Sequence, residues 1–174
     1  MTVLAAEQSV WLFRHLLMAK HFESRDNVPI PVLPGQLFVG SFGAANNRDA
    51  LQTHGISHVL CVSPTLPLVF PDAFTYLRIA VADLPSVRIS ESFSMALDFI
   101  DSALLDGGCV LVHCFAGKSR SATLVLAYLI ARKQMRLEAA LALLQALRPQ
   151  VQPNSGFLAE LALWEQQQLQ QSHE

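Results

Sequence analysis

VLVHCFAGKSRSAT, residues 110–123, changes character halfway along. It opens as an apolar run from Cys109 through Val112 and ends in a pattern with helical spacing over residues 122–130. A short apolar run that gives way to helical periodicity reads as a buried strand feeding a helix through a tight loop. The loop carries His113, Cys114, Gly117, Ser119, Arg120 and Ser121. A cysteine six positions ahead of an arginine, just before a helix, is suited to holding a phosphate dianion against a sulfur nucleophile.

A loop that runs into a helix N-terminus aims several backbone N–H groups at one point, and the helix dipole favours negative charge there. An anion fits that cradle, and so does a thiolate. A free cysteine titrates near 8.5, and a helix N-terminus or a neighbouring cation brings such thiols to roughly 3.5–7.5. Arg120 offers planar, two-pronged donation to phosphate oxygens, which lysine does not match. Gly117 allows close backbone approach or a positive φ. Ser121 is placed to donate to the sulfur when the sulfur becomes a leaving group. The Gly117-Lys118-Ser119 triplet is not a nucleotide-binding loop, because that motif needs glycine five positions before the Gly-Lys pair, where this chain has Val112.

The run His113-Cys114-Phe115-Ala116-Gly117-Lys118-Ser119-Arg120-Ser121 resembles the signature of cysteine-dependent phosphatases, and its flanks are most similar to those of the dual-specificity protein phosphatases. Residues 40–58, with Gly40-Ser41, Ala45-Asn46, Leu51, Gly55-Ile56 and His58, resemble the opening segment of the same family. The resemblance implies a phosphatase fold in which residues 115–120 bind phosphate, Cys114 is the nucleophile and Arg120 holds the equatorial oxygens. It implies that His113 mainly orients the loop and lowers the thiol pKa, although a histidine beside a nucleophile also suits a base. It implies a general acid about thirty residues before the cysteine. Asp83 stands there, in a loop after an expected strand, whereas Asp98, Asp101 and Asp106 fall on or near an expected helix and Asp72 in a loop. Asn154, in Pro153-Asn154-Ser155-Gly156-Phe157, matches an element that braces the loop, and asparagine also suits a helix N-cap. No metal or cofactor is expected, since Arg120 and loop amides supply the charge stabilisation.

Outward from the signature, helices are expected over residues 44–54, from Ser90 as N-cap to about 106, over 137–147 and over 154–170. Strands are expected over 37–40, 57–62 and 75–81. Alternation of this kind predicts an α/β fold: a central, largely parallel sheet of four to five strands flanked by helices, with Cys114 at a strand's C-terminal end, where such sheets place ligands. Residues 27–35 hold Pro29, Pro31 and Pro34 and read as an extended linker. Residues 1–33 are therefore expected to be an N-terminal helix plus linker, and 34–174 the catalytic domain. The helix, residues 7–22, has Val10, Phe13 and Leu17 on one face, and reads as packing on the domain or, with Arg14, Lys20 and His21, as a partner-docking or membrane-surface element.

The chain has 174 residues, 52% of them hydrophobic and 15% charged, with a net charge of −2. That composition fits one compact domain and argues against a nucleic-acid partner, so attraction for a phosphorylated protein substrate, a kinase among the candidates, has to be local. Three cysteines, Cys61, Cys109 and Cys114, without a CxxC pair indicate a reducing compartment, hence a cytoplasmic or nuclear location. The apolar patch at 10–19 is too short to span a membrane. It lacks the flanks of a signal peptide, and Thr2 stands where myristoylation needs glycine. The extra loop that deepens the pocket of tyrosine-only relatives has no counterpart in residues 1–40, which favours a shallow pocket open to phosphotyrosine and phosphoserine or phosphothreonine. Ala116-Gly117-Lys118 also resembles the loop of phosphoinositide phosphatases, but Phe115 stands in place of that group's second lysine; a non-protein substrate, a phosphoinositide, carbohydrate or RNA phosphate, is the alternative to a phosphoprotein. A silent phosphoprotein-binding adapter is the remaining alternative, and such relatives usually lack the cysteine or arginine. Cys61, in Val59-Leu60-Cys61-Val62, resembles a resolving cysteine able to pair with an oxidised Cys114; Cys109 starts the strand that Cys114 ends and lies too far along it.

Overall fold

The computed structural model describes residues 26–171. Five strands form one sheet: β1 (Ile30–Leu33), β2 (Leu37–Gly40), β3 (His58–Val62), β4 (Thr75–Ile79) and β5 (Val110–His113), in the spatial order β1-β2-β5-β3-β4. β1 runs antiparallel to β2, and every other pairing is parallel. The helices are α1 (Phe42–Ala45), α2 (Arg48–Thr53), α3 (Phe93–Leu105), α4 (Arg120–Lys133), α5 (Leu137–Leu147) and α6 (Ser155–Gln171). This is the expected α/β architecture.

β5 lies at the centre because all four of its side chains are buried. Parallel strands covered on both faces read as continuous apolar runs, as this one does. The period of two still sorts its residues. Val110 and Val112 face a large cluster with residues of α3, α4, α5 and α6, including Ile100, Leu124, Leu144 and Phe157. Leu111 faces a smaller one with Phe38, Leu51 and Val59. α4 is buried continuously from Ser121 to Ile130, so the helix that starts at the signature loop is the most enclosed in the domain. The C-terminal ends of β2, β3 and β5 share one edge: Gly40 and Cys61 both lie beside His113.

Several expectations are corrected. Residues 27–35 are not merely a linker, since Ile30–Leu33 pair with β2, Ile30 opposite Val39 and Pro31 opposite Phe38. Pro31 is tolerated because β1 is an edge strand whose register shifts between Pro31 and Leu33. The sheet thus begins ahead of residue 34. The single helix expected over 44–54 is two, because Asn47 accepts from Ala50 N–H at 3.1 Å and starts a second helix. Ser90 is not an N-cap: Ile89–Ser92 form a 3-10 turn into α3, and Ser90 N–H donates to the Glu160 carboxylate at 2.6 Å. The strand expected over 75–81, β4, stops at Ile79. The expected N-terminal helix, with Arg14, Lys20 and His21, lies outside the described residues. Among the described residues no helix is long and apolar enough to cross a membrane.

Candidate active site

β5 ends at His113, α4 begins at Arg120, and the chain between them is wrapped so that its carbonyls point away from Cys114. Phe115 O accepts from Phe42 N–H at 3.0 Å and Lys118 O from Gln152 N–H at 2.9 Å. Ala116 O and Gly117 O accept from the Arg148 guanidinium at 2.8 and 2.9 Å. Ser119 O takes both the N–H and the hydroxyl of Thr123, each at 2.8 Å. A trans peptide holds its C=O and N–H on opposite sides, so each carbonyl fixed outward turns the next residue's N–H inward. The result is a concave row of amide donors at the head of a 14-residue helix. Gly117 makes the turn possible. Its φ is +64°, and a Cβ there would lie 2.7 Å from Gly40 O and 2.8 Å from an Arg148 nitrogen.

Cys114 is 1% exposed. Its Sγ accepts from Gly117 N–H and from Ser121 Oγ, both at 3.2 Å. His113 is buried, and its Nδ1 meets Cys114 O at 3.4 Å rather than the sulfur. Burial, which disfavours the imidazolium, brings its pKa down to about 4, against a smaller upward pull from the Cys114 carbonyl. His113 is therefore neutral near pH 7 and brings no positive charge to the thiol.

Arg120 opens α4 beside the sulfur. Its Nε is buried, lies 3.7 Å from Asp83 Oδ2, and has no hydrogen-bond partner among the described residues. A buried donor left without a hydrogen bond is costly, and an anion seated in the loop would supply one. Asp83 is reached from the next crossover. Its Oδ1 accepts from Ser119 Oγ at 2.7 Å and from Asn154 Nδ2 at 2.9 Å. Asn154 serves both roles expected of it: its Oδ1 accepts from Phe157 N–H at 3.0 Å as the N-cap of α6, and its N–H donates to Ser119 Oγ at 3.2 Å. The Asp83 loop lies directly on α6, since a Cβ on Gly156 would run into the Pro85 backbone. Cys114, Arg120, Asp83, His113, Ser121 and Asn154 are thus brought together.

The remaining expected residues fall around this centre. Phe115 and Lys118 are exposed at the rim, and Ser119 turns its hydroxyl to Asp83 rather than towards an anion. Cys61 is fully buried in a neighbouring cluster with Phe42 and Leu66, and burial pushes its thiol up to about 11. Cys109 donates to Gly35 O at 2.9 Å at the far end of β5. Arg148 and its partner Asp26 were not foreseen. The only hint in sequence was an arginine at the end of an apolar helical pattern, and arginine is seldom buried without a partner.

A cysteine just past the C-terminal end of the central parallel strand, its sulfur bonded by a loop amide in a loop that closes on an arginine with a buried Nε, defines the cysteine-dependent phosphatase class. The family model described as "Dual specificity phosphatase, catalytic domain" matches residues 37–167, and the chain belongs to that family. It is 40% identical over 150 residues to Dual specificity protein phosphatase 1 of Arabidopsis thaliana, which covers 86% of this chain and 75% of the relative. It is 43% identical over 140 residues to MAP kinase phosphatase with leucine-rich repeats protein 3 of Dictyostelium discoideum, covering 80% of this chain and 16% of that protein. The crystal structure of human tyrosine phosphatase-like serine/threonine/tyrosine-interacting protein superposes with a TM-score of 0.78 at 37% identity, covering 82% of this chain and 99% of that one. As a member of its family the chain is a protein phosphatase, a hydrolase of phosphate esters on tyrosine and on serine or threonine.

Proposed function

We propose that this chain cleaves its substrates through a phosphocysteine on Cys114. The thiolate attacks phosphorus while the inward amides of residues 115–120 and the Arg120 guanidinium hold the three equatorial oxygens. Asp83 gives a proton to the departing seryl, threonyl or tyrosyl oxygen. Water then attacks the phosphocysteine, Asp83 takes its proton, and Ser121 Oγ–H, 3.2 Å from the sulfur, stabilises the thiolate that leaves. Charge stabilisation by oriented dipoles of this kind is usually the largest catalytic contribution. His113, neutral and turned to Cys114 O, orients the loop; the donors to the sulfur are Gly117 and Ser121.

The observation that carries this reading is the pair of donors on Cys114 Sγ together with Arg120, whose buried Nε has no hydrogen-bond partner among the described residues. The test is turnover of p-nitrophenyl phosphate by the wild type and by Cys114→Ser, with acid-quench trapping of a phosphoenzyme. The expected result is a trapped phosphocysteine in the wild type. Cys114→Ser should lose turnover but still bind phosphate. Near-wild-type turnover without Cys114 would remove it from the mechanism.

The proposed substrates are phosphoproteins of a signalling pathway, a kinase among them. Support comes from the Dictyostelium relative, which is named for a MAP kinase. The rim favours proteins over phosphoinositides, since Lys118 stands there beside Phe115 rather than beside a second lysine. A cytoplasmic or nuclear setting follows from the need to keep Cys114 reduced. The human neighbour named as an interacting protein raises the adapter reading, and the intact Cys114, Arg120 and Asp83 constellation favours catalysis instead.

A further inference from the structure

Asp26 precedes the segment matched by the family model, yet it reaches the catalytic loop. Its Oδ1 and Oδ2 receive the Arg148 Nη1 and Nη2 donors at 2.6 and 2.8 Å, a two-pronged pair in which the arginine side chain is 4% exposed. The same guanidinium donates through Nη2 to Ala116 O and through Nε to Gly117 O. The carboxylate is itself held in place. Asp26 O accepts from Ser41 Oγ at 2.6 Å, Gln150 Nε2 approaches Oδ2 at 3.4 Å, and Asn27 O accepts from Asn47 Nδ2 at 2.9 Å. The residues just before β1 are thereby stitched to the N-caps of α1 and α2.

From this geometry we propose that Asp26, acting through Arg148, is a positioning residue for phosphate-ester hydrolysis by the Cys114 loop. The proposal deepens the phosphocysteine reading and rests on it. Ala116 O shares a planar peptide with Gly117 N–H, and Gly117 O shares one with Lys118 N–H. Holding both carbonyls outward on one guanidinium turns both N–H groups inward, and Gly117 N–H is the one that reaches Cys114 Sγ. A planar guanidinium has the fork to do this only while its plane is fixed, and the bidentate carboxylate fixes it. It also neutralises a cation that burial would otherwise penalise. Without Asp26, the guanidinium is a buried, uncompensated charge within reach of a phosphate-binding loop, free to turn away from the two carbonyls. Lysine at 148 cannot serve, since one ammonium cannot hold two carbonyls and two carboxylate oxygens in a plane.

The experiment uses the full chain with Asp26→Asn, Asp26→Glu and Arg148→Lys. Three quantities are read on protein shown to be folded: kcat/KM for p-nitrophenyl phosphate, the dissociation constant for tungstate by calorimetry, and the rate of Cys114 alkylation by iodoacetamide at pH 6. Asp26→Asn should lower kcat/KM at least tenfold, weaken tungstate at least tenfold and slow alkylation several-fold. Asp26→Glu should recover to within about threefold of the wild type. A folded Asp26→Asn protein with tungstate affinity and alkylation rate within threefold of wild type overturns the proposal, even if its urea midpoint has dropped. Should Asp26→Asn not fold, Arg148→Lys carries the same expectations and the same overturning result. Active Cys114→Ser would sink the phosphocysteine reading separately, because tungstate affinity reports on loop geometry without any turnover.

Discussion

Replacing Ser119 by alanine isolates the link between the phosphate loop and Asp83, the proposed general acid. Ser119 Oγ donates to Asp83 Oδ1 at 2.7 Å and receives Asn154 N–H at 3.2 Å. The loop backbone should survive the change, because Ser119 O remains held by the Thr123 N–H and hydroxyl at 2.8 Å each. What is lost is one of two side-chain donors on Oδ1, with Asn154 Nδ2 left as the other. A hydrogen bond to a charged group contributes about 1.5–3 kcal/mol, and the 37% exposure of the Asp83 side chain argues for the lower end or below. One to 1.5 kcal/mol is roughly a five- to fifteen-fold loss in the step that needs a placed proton donor. The assay is kcat/KM over a series of aryl phosphates from p-nitrophenyl to phenyl, in wild type, Ser119→Ala, Asp83→Asn and the double variant. Asp83→Asn should cost phenyl phosphate on the order of 10²–10⁴-fold and p-nitrophenyl phosphate far less, because only a basic leaving oxygen needs the proton. Ser119→Ala should show the same leaving-group dependence in miniature, and no further effect once Asp83 is gone. Equal losses across the series, or an undiminished loss in the Asp83→Asn background, would refute the argument that Ser119 works through Asp83.

Three other outcomes are expected. Arg120→Lys should lower kcat/KM by two or more orders of magnitude, since it removes two-pronged donation in the transition state; steady-state rates within threefold of wild type would contradict this. His113, its pKa near 4 when folded and 6.5 when unfolded, binds its proton mainly in the unfolded chain between those values, so it withdraws stability as pH falls from 6.5 to 4. The full effect is on the order of 3 kcal/mol. His113→Asn should shrink the loss of urea midpoint between pH 7 and 4.5, and an unchanged loss would assign the acid sensitivity elsewhere. Finally, peroxide should oxidise Cys114 to a sulfenic acid that Cys61, beside His113 across the β3–β5 pair, condenses with to give a disulfide and water. Peptide mapping should find that bridge, with activity restored by dithiothreitol, whereas a bridge to Cys109 or full recovery in Cys61→Ser would end the idea.

What sequence could show followed locality. Cys114, Gly117, Arg120 and Ser121 were legible because strand, loop and helix are consecutive and the chemistry demands fixed spacing. Asp83 was legible from the order of elements, since it follows a parallel strand and must emerge at the same edge as Cys114. β1 was hidden by its prolines, which argue against a central strand but are permitted at an edge with a shifted register. The break at Asn47 was hidden because a side-chain cap competes with helix propagation over only three residues. Arg148 and Asp26 stand 122 positions apart, and neither carries a local pattern that announces the other.

The same distinction explains how the site is built. An anion cradle needs N–H groups pointing inward, but no donor can be turned inward unless its peptide's carbonyl is accepted on the outside. The inward half is local: a six-residue spacing encodes it. Apart from Ser119 O, which Thr123 holds locally, the outward half is supplied by Phe42 N–H, Gln152 N–H and the Arg148 side chain, from α1, the segment before α6 and the end of α5. These donors touch no substrate and reach the loop only once the sheet has brought α1 beside β5 and α5 and α6 have packed on α4. The loop's geometry is therefore a property of the assembled fold, and the signature read in isolation does not determine whether its amides face the phosphate. Substitutions that loosen α1 or the 148–152 turn should weaken oxyanion binding while leaving every signature residue in place.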